Sequence, residues 1–415
     1  MHAASLTPTR SAPATDPAGR RGDAAALDAA LQASRADTLR SFAAYERALP
    51  QLQVPLREEL NPPLWELGHI GWFQEFWLDR FSARDDGWRA DPDAPRRPGV
   101  RAGADALYHS SRVAHDSRWQ LPLPDAAATR ADLAAQLERT LELLHAPSRD
   151  PQRYFHRLAL LHEDMHHEAA LYMAQALGVP VDDPRWQATP LPAPPPPLRL
   201  AATRWRLGSD PAAGFAFDNE LQPHELELDA FEIDAQVLRW AEYLPFADAG
   251  GYRDPRLWSD EGWRWRSQTD AQAPRYLRRD GDNWLQWRHG RWRELDLREP
   301  ACHLSAYEAQ AWCRYTGRRL PTEAEWERAV LASGAQPAAA LRWGDAWEWT
   351  ATAFGPYPGF VAHPYRDYSQ PWFDGRPVLR GASFMTQPRL RDPHYRNYFR
   401  PYRNDLPAGL RSCAR

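Results

Sequence analysis

The run Thr189 to Pro197 (TPLPAPPPP) divides this chain into two halves of unlike texture. Proline lacks an amide N–H and fixes φ, so a run this dense is shut out of helix interiors and central strands and reads as a stiff linker. Before it, apolar residues recur at the helical period. Beyond Leu198 strands are short, and Gly, Asp and Trp gather in turns. The 415 residues suffice for several cores. The chain therefore reads as multidomain: a leader over 1–23, a helical domain over 24–188, the linker over 189–197, and a loop-rich α+β domain over 198–415.

Four helices are expected in the first half. One runs from about Ala24 to Leu49 on Leu27, Leu31, Leu39, Phe42 and Tyr45. A second starts at Asn61-Pro62-Pro63, where prolines are tolerated in the first turn, and continues to Trp77 with apolar residues around most of its circumference. A third spans about Thr129 to Leu144 and a fourth Tyr154 to Leu177. With a polar loop over 84–105, these form an up-down four-helix bundle.

His162 and His166, four apart on the fourth helix, project from one face, where two imidazoles can hold one transition metal. In a bundle the facing helix is a natural source of a further ligand, which makes His69 the candidate. The alternatives are hydrogen-bonded surface histidines and a buried His69 satisfied by a backbone carbonyl. Three histidines with positions left open describe a reactive site, not a closed structural one.

In the second half, Ser305 with Glu308 and Thr322 with Glu325 are capping boxes. They start helices running to Tyr315 and Leu331. The balance of 51 basic against 55 acidic residues, net −4, leaves no electrostatic footprint for nucleic acid. Trp263-Arg264-Trp265 and Trp287-Arg288 then read as packing and cation–π contacts. Every basic residue is Arg, which excludes Schiff-base chemistry on a side-chain amine and a P-loop lysine. The 20 Trp point to a pocket lined with rings. Three sparse cysteines (Cys302, Cys313, Cys413) argue against a disulfide framework and for a reducing cytoplasm. Residues 1–23 have no signal-peptide core and read as a disordered leader; with no membrane span, a soluble protein is expected.

Several ordered motifs carry a resemblance. Residues 317–328 (GRRLPTEAEWER), 343–350 (WGDAWEWT), 378–383 (VLRGAS) and 409–411 (GLR) resemble the formylglycine-generating-enzyme fold, which is C-type-lectin-like. Residues 217–220 (FDNE) and 235–237 (AQV) match its earlier strands. The first half resembles a DinB-like four-helix bundle, whose pattern of one early His and a later H-x-x-x-H-x-E falls on His69, His162, His166 and Glu168. The arrangement of bundle, linker and second domain is similar to the EgtB-like sulfoxide synthases. That resemblance implies a non-heme Fe(II) enzyme joining a sulfur donor to C2 of the imidazole of hercynine (trimethylhistidine) with O2. Formylglycine chemistry in the resembled family uses a cysteine pair near the C-terminal end of the fold, and only Cys413 stands there.

The same resemblance implies residue roles. Tyr365, first of the pair in 365–368 (YRDY), matches a catalytic proton donor, with Tyr368 lining the pocket. Apart from the resemblance, Glu163 and Glu168 are candidates to orient the ligand histidines, with a solvated helix face as the alternative for each. Three departures bear on the donor. An Arg-x-x-Arg carboxylate clamp is reduced to Arg118 in 115–118 (HDSR). A substrate-contacting Asp is replaced in 396–399 (RNYF), leaving Tyr398 and Phe399 as aromatic faces for a trimethylammonium. A Gln that contacts the hercynine imidazole is Met165. Fewer charges suit an uncharged donor, so the branch resembled most is that of the selenoneine synthases (SenA), which couple hercynine to a selenosugar. Two readings stay open beside it: C–S bond formation with cysteine or γ-glutamylcysteine, and a non-catalytic binding module.

Overall fold

The computed structural model describes residues 15–333 and 341–415. Its helices are α1 (Ala18–Arg21), α2 (Ala24–Ala48), α3 (Pro63–Gln74), α4 (Ala104–Tyr108), α5 (Ala126–His145), α6 (Tyr154–Leu177), α7 (Trp240–Asp248), α8 (Asp260–Gln268), α9 (Ala306–Tyr315) and α10 (Glu323–Ser333). The four long ones, α2, α3, α5 and α6, pack together through their apolar stripes. Leu27 and Leu31 meet Leu144 and Leu160, Phe42 meets Leu67 and Leu133, and Tyr45 meets Met173. The Asp23 and Asp125 side chains cap α2 and α5 by accepting from Ala26 and Ala128 N–H groups. The last residues of the expected second helix, Glu75–Asp79, form a π-helical turn continuing α3.

The second half carries β1 (Leu198–Leu200), β2 (Thr203–Leu207), β3 (His224–Leu228), β4 (Phe231–Ile233), β5 (Leu277–Asp280), β6 (Asn283–Arg288), β7 (Arg291–Glu294), β8 (Ala346–Ala353), β9 (Pro377–Ala382), β10 (Asn397–Tyr398) and β11 (Ala408–Gly409). They form a four-stranded sheet in the order β10-β9-β8-β11, the ribbons β1-β4 and β2-β3, and the three-stranded β5-β6-β7. Both capping boxes form. Ser305 and Glu308 satisfy each other's backbone N–H, as do Thr322 and Glu325. The Trp-Arg runs lie on α8 and β6, with the Arg266 guanidinium 5.4 Å from the Trp263 ring centroid.

Much of the 317–328, 343–350, 378–383 and 409–411 motif set is a network of buried ion pairs around the four-stranded sheet. Arg380 on β9 reaches Glu327 on α10 at 2.5 Å. Arg396 reaches Glu323 at 2.9 Å, and Arg411 reaches Glu348 on β8 at 2.7 Å, all with almost no solvent exposure. Trp326 Nε1 donates to the same Glu348 at 2.8 Å. A buried guanidinium without its carboxylate would be an uncompensated charge, so these residues hold as pairs.

The two halves are tied along α6. Its buried Glu168 accepts from Trp347 Nε1 (2.7 Å), Ser383 Oγ (2.7 Å) and Thr386 Oγ1 (2.8 Å). Asp164, one turn earlier, pairs with Arg389 at 2.8 Å. The proline run lies against the second half, with Leu191 buried and its N–H donating to the Arg298 carbonyl. The leader expected over 1–23 needs correction in its last part. Residues 1–14 lie outside the described residues, but Ala18–Arg21 is helical, and Arg20 is buried with its guanidinium on Glu220 at 2.6 Å. That partner lies 200 residues downstream, so local composition gave no sign of it.

Candidate metal centre

His69 on α3 and His162 and His166 on α6 meet at the α3–α6 contact, with one ligand nitrogen from each lying within 4.8 Å of the others. The His162 and His166 Nε2 atoms are 3.2 Å apart. What turns the three rings inward is different in each case. His69 Nδ1 lies 2.8 Å from the Tyr108 carbonyl. A carbonyl only accepts, so Nδ1 carries the proton and the Nε2 lone pair is free. His166 Nδ1 bonds Glu66 Oε2 at 2.5 Å, which frees its Nε2 in the same way. The His162 ring is held by packing, stacked on Phe73 at 3.6 Å, and its Nδ1 is buried without a hydrogen-bond partner.

Burial pushes His69 down to about 3, with the His166 imidazole adding to the effect, and pushes His162 well below the usual histidine range. At neutral pH these two are therefore unprotonated donors. Three imidazole nitrogens converging on one point, two of them fixed from behind by hydrogen bonds, fit a first-row divalent ion and leave positions for other ligands.

Glu66, three residues before His69, sits behind His166 where Glu163 or Glu168 was expected. Those two are corrected by their partners. Glu163 is bound by Arg35 and Gln74, and Glu168 by the second half. Burial alone would raise the Glu66 carboxyl, but the adjoining His166 imidazole holds it below the usual carboxylate range. Its other oxygen accepts from Asn61 Nδ2 at 2.6 Å, and Asn61 Oδ1 accepts from Arg118 at 2.9 Å. The Arg118 guanidinium also lies 3.9 Å from the Trp65 ring centroid, and Trp65 stacks on His69 at 4.8 Å. Arg118 thus stands behind two of the histidines. Glu66→Gln is expected to weaken divalent-metal binding about 10–100-fold without unfolding the protein, as measured by anaerobic calorimetric titration. Unchanged affinity would show that Glu66 does not support the site.

His166 also lines a cavity of about 220 Å³ with Met165, Tyr172, Trp347, Tyr395 and Phe399. Of the other residues singled out in the sequence, Met165, Glu168 and Phe399 border this space. Tyr365 approaches the triad from another side, its ring 6.2 Å from that of His162 and 5.0 Å from Phe73. Tyr368 and Tyr398 stand one layer back. Tyr368 stacks on Phe217 at 4.3 Å, and Tyr398 stacks on Phe354 at 4.0 Å with its hydroxyl on the Tyr368 carbonyl. Tyr395 escaped the sequence reading. Its hydroxyl accepts from Tyr368 at 3.1 Å and reaches Met165 Sδ at 3.3 Å, linking the tyrosine cluster to the cavity wall.

Residues 200–343 match the model of the sulfatase-modifying factor enzyme 1-like domain. The hercynine oxygenase of Mycobacterium tuberculosis is 33% identical over 430 residues, covering 92% of this chain and 96% of that protein. The chain belongs to the hercynine oxygenase family. A second hercynine oxygenase, from Mycolicibacterium smegmatis, is 32% identical with the same coverage. The formylglycine-generating enzyme of Bos taurus is 31% identical over 125 residues, only 26% of this chain and 33% of that one. The match to hercynine oxygenases thus runs through both halves, whereas the formylglycine match covers a stretch of about a quarter of this chain. Cys302, Cys313 and Cys413 are all buried and unpaired, and burial pushes each thiol up to about 12. Thiols so hard to ionise are poor nucleophiles.

Proposed function

We propose that this chain is an O2-dependent non-heme Fe(II) enzyme forming a C–Se bond between C2 of the hercynine imidazole and a selenosugar, the coupling step of selenoneine biosynthesis. The observation that carries the reading is that His166 belongs both to the histidine triad and to the wall of the aromatic cavity. A substrate in that cavity lies directly beside the metal position.

His69, His162 and His166 hold the ion within a DinB-like bundle, in a protein we assign to the cytoplasm. Fe(II) held there would activate O2, and the electrons that reduce it would come from the hercynine C2–H and the donor chalcogen as they are joined. The aromatic rings around the cavity suit a trimethylammonium through cation–π attraction, with Phe399 standing where a carboxylate is absent. Tyr365 supplies a proton near the metal; burial holds its phenol above the usual range, so it stays protonated at neutral pH. Tyr368 and Tyr398 brace the pocket from behind.

Donor choice follows from Arg118. Its guanidinium is already engaged by Asn61 and the Trp65 ring, which leaves it poorly placed to clamp a dipeptide's carboxylates bidentately. An uncharged donor fits better. In competition, Fe(II)-loaded protein with hercynine and O2 is expected to form more selenosugar-coupled product than cysteine- or γ-glutamylcysteine-coupled product by mass spectrometry. Preference for either thiol would assign the chain to C–S bond formation instead, and absence of any product would favour a binding module.

A further inference from the structure

The segment 217–220 (FDNE) supplies no ligand to the histidine triad, yet three of its side chains converge on the loop over 363–369, which carries Tyr365 and Tyr368. Asp218 holds both ends of that loop. Its Oδ2 accepts from the His363 backbone N–H at 3.2 Å, and its Oδ1 accepts from the Ser369 hydroxyl. Asn219 Nδ2 donates to the same Ser369 Oγ at 2.9 Å, and Phe217 stacks on Tyr368 at 4.3 Å. Asp218 and Ser369 are buried, so water does not compete for these bonds. Burial pushes the Asp218 carboxyl up to about 6, opposed by the bonds from Ser369 and His363. At neutral pH it is therefore a carboxylate, an acceptor at both oxygens. The His363 ring is in turn anchored to α6, its Nδ1 lying 3.0 Å from the Tyr154 hydroxyl. The loop is thus pinned to the helix that carries His162 and His166.

The placement of Tyr365 depends on this clamp for a physical reason. Its ring packs against Phe73 and Trp77 at 5.0 and 6.1 Å, and such apolar contacts are non-directional. They allow the ring to slide, so the backbone on either side of it sets how far the hydroxyl reaches. A proton donor works only within hydrogen-bond reach of the atom it serves, and a misplacement of ~1 Å can cost ~10²-fold in rate.

We propose that Asp218 is a positioning residue for Tyr365: by accepting from His363 and Ser369 it fixes the loop at both ends and so sets the reach of the Tyr365 hydroxyl toward the metal position. This rests on the reading of Tyr365 as the proton donor, and it gives the 217–220 motif a role in the chemistry.

The test compares Asp218→Ala, Tyr365→Phe and the double variant in the full-length, Fe(II)-loaded protein, with the chalcogen donor that the wild type couples fastest. Asp218→Ala is expected to slow single-turnover coupling about tenfold or more. Its iron stoichiometry and anaerobic hercynine dissociation constant should stay within roughly twofold of wild type. In the Tyr365→Phe background the same change is expected to slow the residual rate less than about threefold, because a residue that acts through another is not additive with it. Hydrogen exchange read by mass spectrometry is independent of turnover: in Asp218→Ala the amides over 363–369 should exchange about tenfold faster or more, while those of α6 stay protected as in the wild type. Should Asp218→Ala fail to fold, Ser369→Ala, which removes one hydroxyl at the far end of the clamp, goes through the same cycle and is judged by the same limits. A smaller rate loss in the folded variant, unchanged exchange over 363–369, or a larger loss in the Tyr365→Phe background overturns the role of Asp218 alone. A Tyr365→Phe enzyme that couples at the wild-type rate removes the proton-donor reading instead, and the positioning role with it.

Discussion

His166→Ala is expected to take anaerobic Fe(II) binding from near one equivalent to none detectable, and hercynine-dependent O2 consumption with it. Among the described residues, the substitution leaves two imidazoles, His69 and His162, facing the site. It also strands the buried Glu66 carboxylate, whose Oε2 would lose its 2.5 Å partner. The loss should exceed the ~10–100-fold expected for removing an outer-layer partner, because a ligand itself is gone. His166 is half-buried, so its truncation opens onto the adjoining cavity and avoids a sealed void. His162→Ala should give the same metal phenotype with a larger loss of stability, since that ring fills the space against Phe73. Thermal unfolding without metal separates the two effects. Near-stoichiometric iron in a folded His166→Ala protein would remove the triad from the mechanism and leave the cavity as a binding pocket only.

How far these elements could be read in the sequence depended on how local their causes are. His162 and His166 share one helix, so the 3.6-residue period alone put them on one face, and α6 runs from Tyr154 to Leu177 as that period predicts. The capping boxes at Ser305 and Thr322 were legible for the same reason. Glu66 was not, although it lies three residues before His69 on the same helix. Its partner His166 is on α6, and only the α3–α6 packing makes it a support for the metal site. Glu163 and Glu168 were nearer in sequence and point elsewhere, because buried carboxylates are claimed by whichever donors the tertiary fold supplies. Arg118 shows the same limit. Its motif position suggested a substrate clamp, yet Asn61 and Trp65 occupy it. Helices α7 and α8 were hidden by Pro245 and by a Trp-Arg pattern that mimics an aromatic loop.

Tyr365→Phe is expected to slow the oxidative coupling of hercynine by about 10²–10⁴-fold, the range for loss of a positioned proton donor. The hercynine dissociation constant should stay within roughly twofold, since an interaction made only in the transition state lowers turnover without weakening substrate binding. The geometry favours this split. The Tyr365 ring is wedged among Phe73, Trp77 and His162, with centroid distances of 5.0, 6.1 and 6.2 Å, and phenylalanine keeps all three contacts. Only the hydroxyl is removed. Burial raises the phenol, with the Asp367 carboxylate adding to it, so the hydroxyl keeps its proton across the neutral range. Tyr368 cannot replace it readily, because its own hydroxyl is engaged with Tyr395 at 3.1 Å. Tyr368→Phe should therefore disturb the tyrosine cluster and hercynine affinity more than turnover. Single-turnover kinetics under O2, paired with anaerobic hercynine titration of each variant, distinguish the two tyrosines. A Tyr365→Phe enzyme that loses binding and rate in equal measure would make Tyr365 a wall of the pocket and move the proton donor elsewhere.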